Sequence, residues 1–131
     1  MTMSWHFSDE ETVVTAAVEQ MTLDRAVVVP AHWFAEVANA LLVSERRRRA
    51  TPADSSRFTD RLEDLMLVVD DLGGSDLMTR LLPLARAHDL TIYDALYLEL
   101  AERRGLPLAS FDTDLCNAAR RVGVEVVTDS L

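Results

Sequence analysis

The chain has 131 residues, of which 49% are hydrophobic, and carries a formal charge of -9 at pH 7. This length supports one sizeable core and is too short for two ordinary domains, so we expect residues 1–131 to form a single domain. The negative charge argues against a protein that holds nucleic acid by overall electrostatic attraction, so if the protein works on RNA, the contact must be local. All 13 basic residues are arginine, which excludes lysine-dependent sites such as Walker-type phosphate loops and Schiff-base enzymes.

Compartment and redox chemistry can also be argued from the sequence. The chain has no apolar run of 18 residues, and its acidic beginning at Asp9, Glu10 and Glu11 is unlike a signal peptide. We therefore expect a cytoplasmic protein. Cys116 is the only cysteine, which excludes an intrachain disulfide and a cysteine-built zinc site. We expect it to be a buried, small apolar residue.

The alternation of apolar runs with capped helical segments predicts an α/β protein. Short valine- and leucine-rich runs bounded by turn residues are typical of strands buried in a parallel sheet with helices on both faces. Capping boxes, Pro52 in a first turn and Gly105 at a helix end mark helix boundaries, and Pro83 should kink or divide its helix. The predicted helices cover about 8–22, 30–49, 75–88 and 93–104, and two more begin at Thr51 and at Asp112 or Thr113. The predicted strands are Ala26–Val29, Met66–Val69, Leu106–Ser110 and Val124–Val127.

Glu36 stands out among the 22 acidic residues because its surroundings are apolar. The segment from Ala31 to Val43 reads AHWFAEVANALLV, which leaves no face of a helix obviously exposed to solvent. A carboxylate there is costly to bury unless it pairs with a cationic group or coordinates a cation. Both possibilities, an arginine pair and a metal or catalytic role, remain open at this point.

Asp94 and Asp112 stand at helix starts, and each has a simple structural explanation. Asp94 has capping-box spacing from Thr91, and Asp112 can be a helix N-cap, with Asp114 favoured in the same first turn. However, Asp112 also follows a predicted parallel strand, and carboxyl ends of strands are where open α/β sheets bind ligands. Carboxylates without histidine or cysteine form an all-oxygen set suited to Mg²⁺ or Mn²⁺. We assign none of the three histidines, His6, His32 and His88, to this site.

Three segments resemble motifs of the PIN domains, and within them of the VapC toxins of toxin-antitoxin operons. PAHWFAEVANALL resembles the family's glutamate motif, LTIYDALYLELAERRGLPLAS the segment with its central aspartate, and SFDTDL the motif that closes the site. The resemblance covers essentially the whole chain. It implies a PIN-like three-layer α/β/α fold with a short parallel sheet.

The resemblance also implies a function, metal-dependent endonucleolytic cleavage of RNA with Mg²⁺ or Mn²⁺ as cofactor. Glu36, Asp94 and Asp112 match the family's catalytic and metal-binding acids, Asp114 an additional acid of some members, and Ser110 a supporting hydroxyl residue. It implies RNA as substrate, a VapB-type antitoxin as partner that keeps the toxin inactive, and a homodimer.

The sequence departs from the family at its N-terminus, because MTMSWHFSDE contains no Asp-Ala-Ser turn. We therefore expect the first, central strand of the fold and its aspartate to be missing. The alternative function is a catalytically inactive PIN-like binding or scaffold module.

Arg46 to Arg49 form a basic run at the end of the helix that contains Glu36. Such a run mostly complements the dipole of a solvated helix terminus. The alternative is contact with RNA phosphates, with Arg46 and Arg47 as the candidate residues.

Overall fold

A five-stranded parallel sheet forms the centre of the protein. The computed structural model describes residues 3–5, 26–64, 66–110 and 112–127. Every strand pair is parallel and the strand order is β3-β2-β1-β4-β5. The strands are β1 (Met3–Trp5), β2 (Ala26–Val29), β3 (Met66–Val69), β4 (Leu108–Ala109) and β5 (Val126–Val127). The α/β class expected from the sequence is confirmed, although β4 and β5 are shorter than the predicted strands.

The expectation of a missing central strand is wrong for this structure. Met3 pairs with Val27, Ser4 pairs with Leu108 on the other side, and β1 therefore occupies the position between β2 and β4. The physical reason is that an empty position would leave inner backbone edges of two strands without partners, at about 1–3 kcal/mol for each buried group. The three residues of β1 are enough to pair with β4, because β4 is only two residues long. The missing Asp-Ala-Ser turn remains a feature of the sequence.

Five helices are present in the described part of the chain. The helix expected at 8–22 lies outside the described residues. Thr51 closes the predicted capping box with Asp54, and Gly105 ends its helix with a φ of 64°. Pro83 lies inside a single helix and does not divide it. The helices are α1 (Trp33–Arg46), α2 (Pro52–Glu63), α3 (Gly74–His88), α4 (Ile92–Arg104) and α5 (Thr113–Arg121).

The core lies between the sheet and the helices α1, α2, α4 and α5. It is built from fully buried side chains that include Trp33, Tyr97, Leu98, Leu108 and Leu115. Helix α4 has the longest buried stretch of these helices, since every residue from Tyr97 to Ala101 is buried. The middle of this helix, with Tyr97, is therefore enclosed by the core, whereas Asp94 near its start is half-buried.

Helix α1 is less buried than its sequence predicts. Phe34 and Leu42 expose 44% and 42% of their surface. The expectation that this helix has no solvent-exposed face is therefore wrong. Only Trp33, Val37 and Ser44 of α1 are buried, a stripe of the width that a surface helix packs against a core.

Candidate active site

The sequence-predicted acids follow strands or begin helices at one edge of the sheet. Because all strands are parallel, their carboxyl ends meet at the same edge, the place where α/β proteins bind ligands. Val29 ends β2, and Glu36 lies in the first turn of the helix that follows. Ala109 ends β4, and Asp112 comes three residues later. The topology thus places Glu36 and Asp112 beyond the same edge.

Glu36 is held by two aromatic residues. The hydroxyl of Tyr97 donates a hydrogen bond to Glu36 Oε1 at 2.5 Å, and His32 Nε2 lies 2.9 Å from the same oxygen. The histidine contact has ion-pair distance when the imidazole is protonated, but it is not aligned as a hydrogen bond. The Glu36 side chain keeps 31% of its surface exposed. One carboxylate oxygen is therefore anchored to the protein while the group remains accessible.

The aromatic rings around Glu36 also contact one another. The His32 ring lies 5.3 Å from that of Tyr97, edge to face, and 5.6 Å from that of Tyr93. Tyr97 has no exposed surface, whereas Tyr93 is 64% exposed. A fully buried phenol cannot exchange its hydrogen bond for one with bulk water, so the hydroxyl of Tyr97 is committed to its protein partners.

Asp94 begins α4, as the sequence predicts. Its backbone N–H donates to Thr91 Oγ1 at 3.1 Å, and Thr91 is the N-cap. Asp94 itself is half-buried. Residues three apart lie on the same face of a helix, so Asp94 and Tyr97 share the face from which Tyr97 reaches Glu36. The hydrogen bond between Tyr97 and Glu36 therefore joins the two helices that hold the first two candidate acids.

Ser110, Asp112 and Asp114 form the third part of the site. Ser110 directly follows β4, is fully buried, and its Oγ accepts from the N–H of Asp112 at 3.0 Å. Asp112 is the N-cap of α5, and its Oδ1 accepts from Leu115 N–H at 2.8 Å. The prediction that Asp112 caps a helix is thus confirmed. Its predicted position shortly after a strand is confirmed as well. Asp114 lies exposed in the first turn.

The fit of a divalent cation can be judged from the kind of donors and from their arrangement. Carboxylate and hydroxyl oxygens are the ligands that Mg²⁺ prefers, so Glu36, Asp94, Asp112 and Ser110 fit such an ion in chemical kind. Within the described ranges, however, no three side chains of histidine, cysteine, aspartate or glutamate are grouped to hold a metal ion. The candidate acids share an edge of the sheet without forming a ready three-ligand cluster there.

A second group of charged side chains lies at the end of β3, and the sequence did not reveal it. Asp70 accepts from Arg103 Nη2 at 2.5 Å and from Arg104 Nε at 2.8 Å, while Arg103 Nε also donates to Glu99. Burial by itself raises the pKa of Asp70, but the hydrogen bonds and charges of both arginines outweigh it and hold the pKa below its usual value. Two acids and two arginines balance in charge, so this cluster joins α4 to the sheet and offers no spare charge for a cation.

Cys116 behaves as the sequence predicts. The residue is 4% exposed, and its thiol donates to the Ser110 carbonyl oxygen at 3.4 Å. Burial raises the pKa of the Cys116 thiol. A protonated, buried thiol is a poor nucleophile, which leaves the residue a packing role behind Ser110.

Comparison with known proteins shows the family to which the chain belongs. Residues 2–121 match the PIN domain family. The chain belongs to the PIN-domain family. It is also 30% identical over 105 residues to "Ribonuclease VapC3" of Pyrobaculum aerophilum, a match that covers 80% of this chain and 75% of that protein. The resemblance to VapC-type members stated from the motifs is thereby confirmed.

A solved structure supports the same fold. The protein PAE2754 from Pyrobaculum aerophilum superimposes with a TM-score of 0.70 at 22% identity, over 96% of this chain and 83% of that one. At this identity the likeness concerns the fold, and the PIN-like α/β architecture is therefore confirmed. None of the helices in the described part of the chain is long and apolar enough to cross a membrane.

Sequence reasoning did not find Tyr97 or His32. Tyr97 reads as an ordinary core aromatic of an apolar helix, and only its spacing of three residues from Asp94 could have suggested more. His32 lies four residues before Glu36, the spacing that puts two side chains on one face of a helix. The role of Tyr97 depends on α1 and α4 lying near each other, whereas the His32 spacing is local to the start of α1.

Proposed function

We propose that this PIN-domain protein is a metal-dependent endoribonuclease toxin that cleaves RNA phosphodiester bonds. The observation that carries the proposal is Glu36, an accessible carboxylate with one oxygen anchored by buried Tyr97, beyond the same sheet edge as Asp112. Membership of the PIN family and likeness to a relative named as a ribonuclease support it.

Glu36, Asp94 and Asp112 would hold Mg²⁺ or Mn²⁺, with Asp114 as an additional acid and Ser110 as a supporting hydroxyl. When bound, such an ion lowers the pKa of a water ligand and neutralises charge on the phosphate. A water-derived nucleophile removes the need for a nucleophilic side chain, in agreement with the absence of lysine and the burial of Cys116.

The protein's own residues position these acids. Tyr97 fixes one oxygen of Glu36 and leaves the other for a ligand. The cap hydrogen bond to Leu115 N–H takes up Oδ1 of Asp112, so that Oδ2 is the oxygen open to a ligand. Buried Ser110 fixes the backbone turn before Asp112 through its bond to the Asp112 N–H. Together these contacts limit the reorganisation that binding requires.

The partners follow from the same proposal. A free ribonuclease is harmful to its own cell, so a VapB-type antitoxin would cover the acidic edge and keep the protein inactive. We place the protein in the cytoplasm, where its RNA substrate is found, and we propose a homodimer as the working form.

The experiment that tests the proposal is RNA cleavage by the purified chain. Labelled RNA is incubated with the protein in Mg²⁺ or Mn²⁺, and parallel samples contain excess chelator. We expect discrete fragments with either metal and none with chelator. Undiminished cleavage in chelator contradicts the metal-dependent mechanism.

A second candidate function is a PIN-like module that binds RNA or protein without cleaving it. It is favoured by the lack of a three-acid cluster in residues 3–5, 26–64, 66–110 and 112–127. This function predicts no fragments under any metal condition, with RNA binding retained in chelator. The cleavage experiment therefore separates the two functions.

A further inference from the structure

The arginine run, Arg46 to Arg49, closes helix α1 on the surface. All four residues are exposed, on a chain whose formal charge is -9. We propose that the arginine run is a binding site for the phosphates of single-stranded RNA, which positions substrate relative to Glu36. This inference rests on the proposed function for its substrate class. It concerns binding, so it can be tested separately from cleavage.

The guanidinium groups of the run form no ion pair with an acid in the described part of the chain. Glu45 directly precedes it, and Glu45 Oε2 accepts a hydrogen bond from Ser55 Oγ in α2 at 2.7 Å. No acidic side chain in the described residues pairs with any of the four guanidinium groups. By contrast, Arg103 and Arg104 are both paired with Asp70. The run therefore has four forked donors available for phosphate oxygens, the geometry that guanidinium groups match best.

Arg48 occupies a backbone conformation that favours glycine. Its φ is 58°, in the left-handed region where helix ends commonly place glycine. The N–H of Arg48 bonds to Glu45 O at 3.0 Å and that of Arg49 to Ser44 O at 2.9 Å, which is a Schellman ending. An arginine at this position adds local strain and a fourth like charge. Helix termination alone is better served by glycine, so the side chain is expected to serve binding.

Helix α1 connects the run with the candidate active site. Glu36 lies in its first turn and Arg46 at its last residue, and ten residues of helix span about 15 Å. Stacked nucleotides advance about 3.4 Å each along a strand, so the distance corresponds to roughly four nucleotides. An RNA strand of about this length, with one phosphate near Glu36, can therefore span the distance to the run.

The exposed charge of the arginine run favours RNA over a protein as its ligand. A protein interface needs a desolvated apolar centre with charges at its rim, whereas a phosphate backbone is bound by a line of exposed cations. The run supplies four exposed cations that are consecutive in sequence. A protein partner is nevertheless one outcome of the test.

The test measures RNA binding in chelator, so that cleavage does not interfere. A fluorescent single-stranded RNA is titrated with wild type and with Arg46→Gln/Arg47→Gln, and its anisotropy is recorded at several salt concentrations. We expect the double variant to bind at least tenfold more weakly and the salt slope to fall by about 1.4, since each lost contact with single-stranded RNA removes about 0.7. The matched control, Arg120→Gln/Arg121→Gln, removes two exposed arginines from the end of α5 and should bind within twofold of wild type.

Arg48→Gly separates binding from helix termination. We expect this variant to melt at a higher temperature than wild type while it binds RNA more weakly. A higher melting temperature with unchanged RNA affinity would overturn the inference, as would a double variant that binds like wild type. Loss of binding to a co-expressed antitoxin, with RNA affinity intact, would also overturn it in favour of a protein partner. A chain that binds RNA through the run but does not cleave contradicts only the proposed function.

Discussion

Tyr97 and Glu36 are 61 residues apart in sequence, and the hydroxyl of Tyr97 donates its hydrogen bond to Glu36 Oε1. This bond joins α4, which also carries Asp94, to α1. It fixes an accessible carboxylate from the buried side, and no hydrogen bond from the described residues is given to the other oxygen of Glu36. Outer contacts of this kind commonly set the orientation of acidic ligands in metal sites.

We predict that Tyr97→Phe weakens both Mn²⁺ binding and RNA cleavage by roughly 10-fold or more, the range found for such outer contacts. The change removes one hydroxyl and keeps the ring, so the melting temperature should fall only slightly. Calorimetric titration with Mn²⁺ and a cleavage assay measure the two effects.

The matched control is Tyr93→Phe. Tyr93 also contacts the His32 ring, but it is exposed, and its hydroxyl should not matter for either readout. Equal Mn²⁺ affinity in wild type and Tyr97→Phe would show that the hydrogen bond does not position Glu36.

The buried ion cluster predicts a stability effect. Asp70→Asn removes the acidic partner of Arg104 and one of the two acidic partners of Arg103, and removing one member of a buried pair costs about 3–5 kcal/mol. Because both arginines are partly exposed, solvent screening should reduce the loss to about 2 kcal/mol. Urea unfolding measures it, with exposed Asp71→Asn as the neighbouring control. If both variants unfold at the same urea concentration, the cluster does not stabilise the fold.

The same carboxylate predicts a pH dependence. Burial pushes the pKa of Asp70 upward, but Arg103 and Arg104 hold it below its ordinary value. Its stabilising contribution is therefore complete above the unfolded pKa of about 3.9 and is lost as the pH falls through the lower folded pKa. The free-energy difference between wild type and Asp70→Asn should shrink as the pH is lowered from 7 to 3. A difference that grows toward acid pH would contradict this assignment.

Cys116 gives a further check on packing. Because burial raises the pKa of its thiol, we expect a thiol reagent to react slowly with the native protein at neutral pH and quickly in urea. The same reagent on Cys116→Ser should give no signal in either condition. Rapid reaction of the native protein would show that the end of β4 opens more readily than the structure implies.

The parts of the fold that depend on local chemistry could be predicted from the sequence. Thr51 with Asp54, Gly105 and Asp112 mark helix ends through their own backbone or side-chain bonds, and the structure places these ends as expected. The central strand could not be predicted, because Met3–Trp5 has no strand signal of its own and is extended by pairing with both neighbours.

Some residues of the candidate site could likewise be predicted from the sequence, and others could not. Glu36, Asp94 and Asp112 were found as acids in conspicuous local settings. Tyr97 and the partners of Asp70 were not, because their roles arise only when α4 packs against α1 and β3. The arrangement of the acids around a cation likewise remains a prediction, since it depends on several elements at once.

The most direct test of the central claim is RNA cleavage in Mn²⁺ by wild type, Glu36→Gln and Asp94→Asn. Each substitution keeps the side-chain shape and removes the ligand charge. The control is Glu102→Gln, which removes an exposed charge from α4 away from the helix start. We predict that wild type and Glu102→Gln cleave RNA and that both site variants lose at least 100-fold of the rate. Cleavage by Glu36→Gln and Asp94→Asn at the wild-type rate would contradict the assignment of the site.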